Sequence, residues 1–409
     1  MRAWSASWPA STSSAPSSRP TGFARPTTPA RADRLVRPAW ADIDLAAVEH
    51  NVGALRDLVG ASRLCAVVKA DGYGHGAVPV ARAALAGGAD LLAVALVSEG
   101  AELRAAGIGG PVLVLSQASR HELDDLVARD LEATVYTHSG VRDLAVAVRG
   151  KRSPGPQNVH LKVDTGMHRV GAQPAEVVDL ARAVVDAPGL RLASVFTHCA
   201  VADEPESPFT DLQLDRYEDV LAELARAGIA VPVRHAANTA GAVAHPRSRY
   251  DLVRCGIGIY GLAPSPALSG KVDLRPAMAL KARISHVKRV AGGEGLSYGL
   301  RYRTTGDRTI ATVPLGYADG VRRSLSSAGG EILIRGRRFP LAGTVTMDQL
   351  LVDCGDEEVE VGDEAVLIGT QGDHQITADD WAQRLGTISY EVVCGVSPRV
   401  PRCYQEADR

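Results

Sequence analysis

The chain has 409 residues, 45% of them hydrophobic, and a formal net charge of −2. That length allows two or three domains with buried cores, and the near-neutral balance lacks the electrostatic footprint of a nucleic-acid binder. No apolar run is long enough to cross a bilayer, so no membrane partner is expected. Cys65, Cys199, Cys255, Cys354, Cys394 and Cys403 show no CxxC spacing, which points to the reducing cytoplasm and to neither a disulfide framework nor a metal site.

Residues 1–36 are built mainly from Ser, Thr, Pro, Ala and Arg, with too few large apolar side chains to bury a core, and are expected to form a disordered tail. They lack a secretory h-region; their Arg- and Ser-rich, acid-poor character also suits an organelle transit peptide. Order is expected from PAWADIDLAAVEHNV, where Trp40 to Leu45 alternate as a strand and Asp44 can cap the next helix. The stretch LCAVVKADGYGHG then runs an apolar, β-branched strand into Lys69 and a loop with Gly72, Gly74 and Gly76. Similar runs recur as LLAVAL, PVLVLS, EATVYT, NVHLKV, LASVFT, VPVRHA and LVRCGI, separated by helical segments such as 77–86, 98–106, 174–185 and 210–227. Eight alternating β and α units predict an α/β fold, a (β/α)8 TIM-type barrel over residues 37–277. An open doubly wound sheet would need a GxGxxG fingerprint for a dinucleotide, and none is present. Beyond Ala277 short strands joined by polar and glycine turns, with one helix over Ala378 to Leu385, predict a mostly β C-terminal domain over 278–409.

In parallel α/β folds ligands bind at the C-terminal ends of the strands. The polar residues at those ends are Lys69 and Tyr73, the run Asp164 to Arg169, His198, then His235, Asn238 and Thr239, and finally Arg254, Gly256 and Ile257. A lysine against apolar walls loses its proton more readily and can form a Schiff base, and glycine-rich turns admit an anion to backbone N–H groups. Taken singly, each reads equally well as a solvated loop charge or a packed ring. A lysine, two histidines, two arginines and glycine turns on one rim of a barrel point instead to a shared site.

The segments AVVKADGYGHG, HLKVDTGMHRVG, FTHCA, HAANTA, VRCGIGIYGLAP, LSYG, ATVPLGYADG, TVTMDQ and ISYEV resemble, in order and spacing, the alanine racemases, pyridoxal-phosphate enzymes with a barrel and a β domain. The resemblance runs from about Pro38 to Tyr404. It implies that Lys69 bonds to pyridoxal 5'-phosphate and serves the D-enantiomer as acid/base, while Tyr298 serves the L-enantiomer from the opposite face. Two bases are required because racemisation removes the Cα proton from one face and returns it to the other. Arg169 is implied to touch the phenol and the substrate carboxylate, with Lys162, often carbamylated in the family, as its partner. Arg254 is implied to donate to the pyridine nitrogen, which weakens the electron sink and favours racemisation over transamination. His235 orients that arginine and His198 lies against the cofactor plane. Tyr73, Asn238, Thr239, Gly256, Ile257 and Tyr390 belong to the cofactor-binding set, several of them on its phosphate. Met347, with Asp348 beside it, binds the substrate carboxylate, and Tyr317 narrows the pocket. Tyr298 and Met347 are implied to enter from the other subunit of a head-to-tail homodimer with shared active sites.

The implied activity is interconversion of L- and D-alanine for peptidoglycan, with a racemase for serine or a basic amino acid as the alternative. Thr344, Thr346 and His168 depart from the commonest family residues at the carboxylate side of the site. A non-enzymatic pyridoxal-phosphate carrier would lack the LSYG and TMDQ segments, and a decarboxylase would place an acid opposite the pyridine nitrogen.

Overall fold

The computed structural model describes residues 37–150 and 155–405; the tail expected over 1–36, and the last four residues assigned to the C-terminal domain, lie outside the described residues. Strand β1 (Ala39–Asp44) leads directly into a helix, Leu45–Val59. Asp44 caps that helix as expected, its carboxylate accepting from the Ala47 N–H at 2.9 Å. Val48, Val52, Leu55 and Val59 recur every three to four residues and are the buried stripe of the helix.

Eight further strands follow: β2 (Arg63–Val67), β3 (Leu91–Val94), β4 (Val112–Val114), β5 (Ala133–Val135), β6 (Gln157–Lys162), β7 (Leu190–Phe196), β8 (Arg234–His235) and β9 (Leu252–Cys255). They pair in parallel in the orders β4-β3-β2-β9 and β5-β6-β7-β8. Two seams join these halves. The Val114 N–H donates to the Glu132 carbonyl at 3.0 Å, and the Asp251 and Arg254 N–H groups donate to the carbonyls of Arg234 (3.1 Å) and Ala237 (3.0 Å). The ring is thereby closed, as the eight-fold alternation predicts. Helices Ala77–Ala86, Val97–Ala105, Val177–Asp186 and Phe209–Arg226 stand where the sequence periodicity puts them.

The C-terminal part is mostly β. Its main sheet runs Arg337–Pro340, Glu331–Ile334, Glu364–Gln371, β10 (Met278–Arg283), β1, Arg402–Gln405. Strand β1 therefore sits inside this sheet, antiparallel to β10 with Ala41 opposite Leu280, and its Asp42 meets Lys281 at 3.0 Å. The pattern of β1 fits the choice: after buried Ala39 and Trp40, buried Ala41 and Ile43 alternate with half-buried Asp42 and Asp44, whereas Leu64 to Val67 of β2 are buried throughout, as a parallel barrel strand requires. A second sheet orders His286–Val290, Arg308–Val313 and Leu350–Asp353. Helix Ala378–Leu385 forms where expected, with Thr377 and Asp380 capping each other. A further helix, Ser389–Cys394, was not read from the sequence, being too short to show a helical period.

All six cysteines are free thiols. No helix among the described residues is long and apolar enough to cross a membrane.

Candidate active site

Lys69 follows the buried end of β2, where the chain turns sharply. Ala70, Asp71, Gly72 and Tyr73 all adopt left-handed backbone angles, φ 53°, 51°, 59° and 52°. Three of the four carry side chains that disfavour that region, so the surroundings must hold the turn. They do: Asp71 accepts from the Ala77 N–H at 2.8 Å, and Glu99 accepts from the Ala70 N–H at 2.6 Å. Burial, and then the charge of Arg169, lower the Lys69 pKa, so its amine gives up a proton more readily than a surface lysine.

Lys69 opens into a cavity of about 560 Å³ at the mouth of the barrel. Tyr73 joins it from the same turn, Lys162 and Arg169 from the end of β6, and His198 from the end of β7. Asn238 and Thr239 come from behind β8, Arg254, Gly256 and Ile257 from β9 and its turn, and Tyr390 from the C-terminal domain. The loop that carries Arg169 is shaped by Asp164, which accepts from the N–H groups of Gly166 and His168, each at 3.0 Å. His168 itself has φ 55°, a conformation open to histidine among few side-chain-bearing residues.

Arg254 is 4% exposed and makes its hydrogen bonds through two of its nitrogens. Nη1 donates to Nδ1 of His235 at 2.8 Å; Nη2 donates to the carbonyls of Thr197 and Ala236, both at 2.8 Å, and to Nδ1 of His198 at 3.1 Å. A guanidinium only donates, so both imidazoles must offer a bare Nδ1. Burial and the Arg254 charge hold both well below the usual histidine range, in agreement. His235 does not line the cavity; it stacks on Phe196, ring centroids 4.7 Å apart, and supports Arg254 from behind. Lys162 lies 5.5 Å from the same Phe196 ring centroid. Burial and its cationic neighbours Arg254, Arg169 and Lys69 bring its pKa down to about 8.

The opposite wall is made of hydroxyls and backbone. The Gly256 N–H donates to the Thr239 hydroxyl at 3.0 Å, and Asn238 caps helix Thr239–Ala244 by accepting from the Gly241 N–H at 2.8 Å. A Cβ on Gly256 would stand 2.5 Å from the Tyr73 hydroxyl, so only glycine allows this approach. Tyr73 packs between Tyr260 and Tyr390, at centroid distances of 4.8 and 6.2 Å, and burial raises the pKa of both Tyr73 and Tyr390.

Four of the expected site residues lie elsewhere in the chain. Tyr298, Tyr317 and Met347 are 71%, 43% and 52% exposed, and with Asp348 they form a separate patch on the C-terminal domain. The Thr344 hydroxyl donates to the Tyr298 carbonyl at 2.9 Å, the Tyr317 N–H to the Thr346 carbonyl at 2.9 Å, and the Ala318 N–H to the Met347 carbonyl at 3.0 Å. Arg399 donates to Asp348 at 2.7 Å. Sequence reasoning gave no role to Ser116, Val170, Phe196 and Cys394, which also line the cavity; Val170 and Phe196 lie in the motifs HLKVDTGMHRVG and FTHCA, whereas Ser116 and Cys394 sit in no pattern that distinguishes them from ordinary core or loop.

Family models for the alanine racemase N-terminal and C-terminal domains match residues 43–264 and 277–404. The chain belongs to the alanine racemase family. It is 50% identical over 370 residues to the alanine racemase of Symbiobacterium thermophilum, covering 90% of this chain and 97% of that one. It is 44% identical over 375 residues to that of Thermobifida fusca, covering 91% and 99%. The crystal structure of alanine racemase from Streptomyces lavendulae superposes with a TM-score of 0.87 at 40% identity, covering 91% of this chain and 98% of that one. That of Bacillus anthracis, solved with bound L-Ala-P, gives 0.86 at 36% identity, covering 92% and 97%. The barrel and the mostly β domain together are the alanine racemase fold.

Proposed function

We propose that this chain interconverts L-alanine and D-alanine with two bases on opposite faces of the substrate's Cα, Lys69 from one copy and Tyr298 from a second. Alanine racemases are pyridoxal-phosphate-dependent isomerases, and supply of D-alanine for peptidoglycan is the family's function. The residues around the cavity fit that cofactor: an amine of lowered pKa, a donor-only arginine, and a wall of hydroxyls and backbone where Gly256 lets the Tyr73 hydroxyl come close to the turn after β9. Lys69 would hold it through its amine, Tyr73, Asn238, Thr239, Gly256, Ile257 and Tyr390 at its phosphate end, His198 against its plane, and Arg254 at its ring nitrogen. When bound, the group supplies the electron sink that acidifies the Cα–H bond.

The chain's own residues do the rest. Lys69, once neutral, takes or returns the Cα proton on one face, and the Tyr298 phenol does so on the other. Arg169 faces the phenol and the substrate carboxylate, and the Met347 N–H and Asp348 border that carboxylate, with Tyr317 closing the pocket to side chains much larger than methyl. Arg254 can neither accept a proton nor readily give one up, and so keeps the sink moderate and the proton returning to Cα. Lys162, with its pKa near 8, has a neutral fraction able to add carbon dioxide and lose a proton, becoming an anionic partner for Arg169. The exposed cluster of Tyr298, Leu300, Tyr317 and Met347 supports a head-to-tail homodimer in which a second copy covers it.

The observation that carries this reading is the joint presence, in one cavity of an alanine racemase chain, of Lys69 with its lowered pKa and the buried donor Arg254. Purified enzyme offered L-alanine, L-serine, L-lysine and L-arginine, followed by optical rotation, should racemise alanine fastest. Faster turnover of serine or a basic amino acid would replace the substrate assignment. Retention of cofactor absorbance by Lys69→Ala would reject the role of Lys69.

A further inference from the structure

Barrel interiors are ordinarily filled by layers of apolar side chains. This one is crossed by a line of polar groups that starts at Glu132, at the entry to β5, and ends at Arg254 on β9. The Glu132 carboxylate meets Nε2 of His160 at 2.9 Å; Nδ1 of His160 meets the Ser194 hydroxyl at 2.6 Å; that hydroxyl meets Nε2 of His235 at 2.9 Å; and Nδ1 of His235 meets Arg254 at 2.8 Å. His160, Ser194, His235 and Arg254 are all at most 5% exposed. We propose that Glu132, His160 and Ser194 are positioning residues for Arg254, linked to it through His235 in one directed hydrogen-bond chain that fixes the guanidinium where it meets the cofactor's ring nitrogen. This rests on the reading of Arg254 given above.

The direction follows from the two ends. Arg254 can only donate, so His235 Nδ1 is bare and its Nε2 carries the proton. His235 Nε2–H therefore donates to Ser194, whose own proton is left for His160 Nδ1. His160 then donates Nε2–H to Glu132, an ionised carboxylate that only accepts. Every bond points the same way, from cation to anion. Burial would raise the Glu132 pKa, but its bonds from His160 and Asn158 more than offset that and hold it low.

The far end is anchored too. Arg191 donates to Oδ1 of Asn158 at 2.9 Å and 2.5 Å, which fixes that amide so that its NH2 donates to the second Glu132 oxygen at 2.5 Å. Position 132 must thus accept on both sides. A glutamine there presents an NH2 to one of two donors. Facing His160, it makes Nε2 the acceptor and shifts that ring to its other tautomer, and the reversal propagates until His235 points an N–H at Arg254. A buried polar chain of this kind is costly unless complete, and complete it allows one arrangement.

The test uses histidine-15N-labelled holoenzyme carrying Glu132→Gln, Ser194→Ala, or Glu132→Gln with Asn158→Asp. The last swaps carboxylate and amide, so that Arg191 and position 132 both donate to position 158 and the original direction is restored. Imidazole 15N shifts, kcat, KM and the ratio of transamination to racemisation are read for each, with Arg254→Glu as control. Glu132→Gln and Ser194→Ala should change the His235 signals, lower kcat about tenfold with KM within about twofold, and raise the transamination share. The double variant should recover most of the loss. Unchanged His235 signals in both single variants would overturn the chain. Changed signals with wild-type kcat and product ratio would make it purely structural, overturning the proposal and leaving the racemase reading intact. An unchanged product ratio in Arg254→Glu would place the fault in the reading of Arg254 itself, and the proposal would fall with it. Ser194→Ala removes a single oxygen, which keeps the test open should Glu132→Gln not fold.

Discussion

Lys162 has an ordinary pKa of 10.5 that folding brings down to about 8. Between those values the unfolded chain binds more protons than the folded one, so stability rises as pH climbs through the window and the burial penalty is complete below it. In carbon-dioxide-free buffer, Lys162→Met should therefore be more resistant to urea than wild type at neutral pH, with the gap closing toward pH 10; a constant gap in midpoint would contradict the lowered pKa. Tyr298 invites a different test. Replacing it with Phe removes the base proposed for one face only, so exchange of the L-alanine Cα proton should fall about a hundredfold and exchange from D-alanine distinctly less. Equal losses would undo the two-face scheme. Lys69, Arg169 and Arg254 were legible in the sequence because each ends a strand run or sits in a long motif. Ser194 and Glu132 were not, and His160, although it opens the motif HLKVDTGMHRVG, received no role, since a histidine or serine inside a β-branched run reads as ordinary core until its neighbours across the barrel are known.

The turn after β2 and the turn after β9 meet at Gly256 and Tyr73, where a β-carbon would come within 2.5 Å of the phenolic oxygen. Gly256→Ala should lower the melting temperature of the chain, and adding Tyr73→Phe should recover part of that loss by removing the clashing atom. No recovery would mean that the glycine serves something other than this approach. The strands of the barrel were predictable because each is a short apolar run bounded by glycine or polar turns. Strand β1 was predictable as a strand and not as a member of the C-terminal sheet: alternation states that one face is half wet, but the partner, β10, lies more than two hundred residues away. Helix Ser389–Cys394, which carries Tyr390 to the cavity, is too short for its period to speak.

In the whole molecule the two proposed bases belong to different surfaces of one chain, and a mixed dimer tests whether they meet. Lys69→Ala and Tyr298→Phe are each expected to be nearly inactive. Co-refolded in equal amounts, they should regain about a quarter of wild-type activity, because half of the dimers are mixed and each of those carries one intact site. No regain, together with monomers in sedimentation analysis, would refute a shared site. The sequence by itself determined the family, the (β/α)8 barrel with a following β domain, and the strand-end residues, because periodicity and long motifs are local properties of the chain. The tertiary structure alone decided that β1 completes the distant sheet, that the Gly256 and Tyr73 turns meet, and that a polar line links Glu132 to Arg254. Those are relations between residues far apart in sequence, set by which surfaces packing brings together, and no local pattern encodes them.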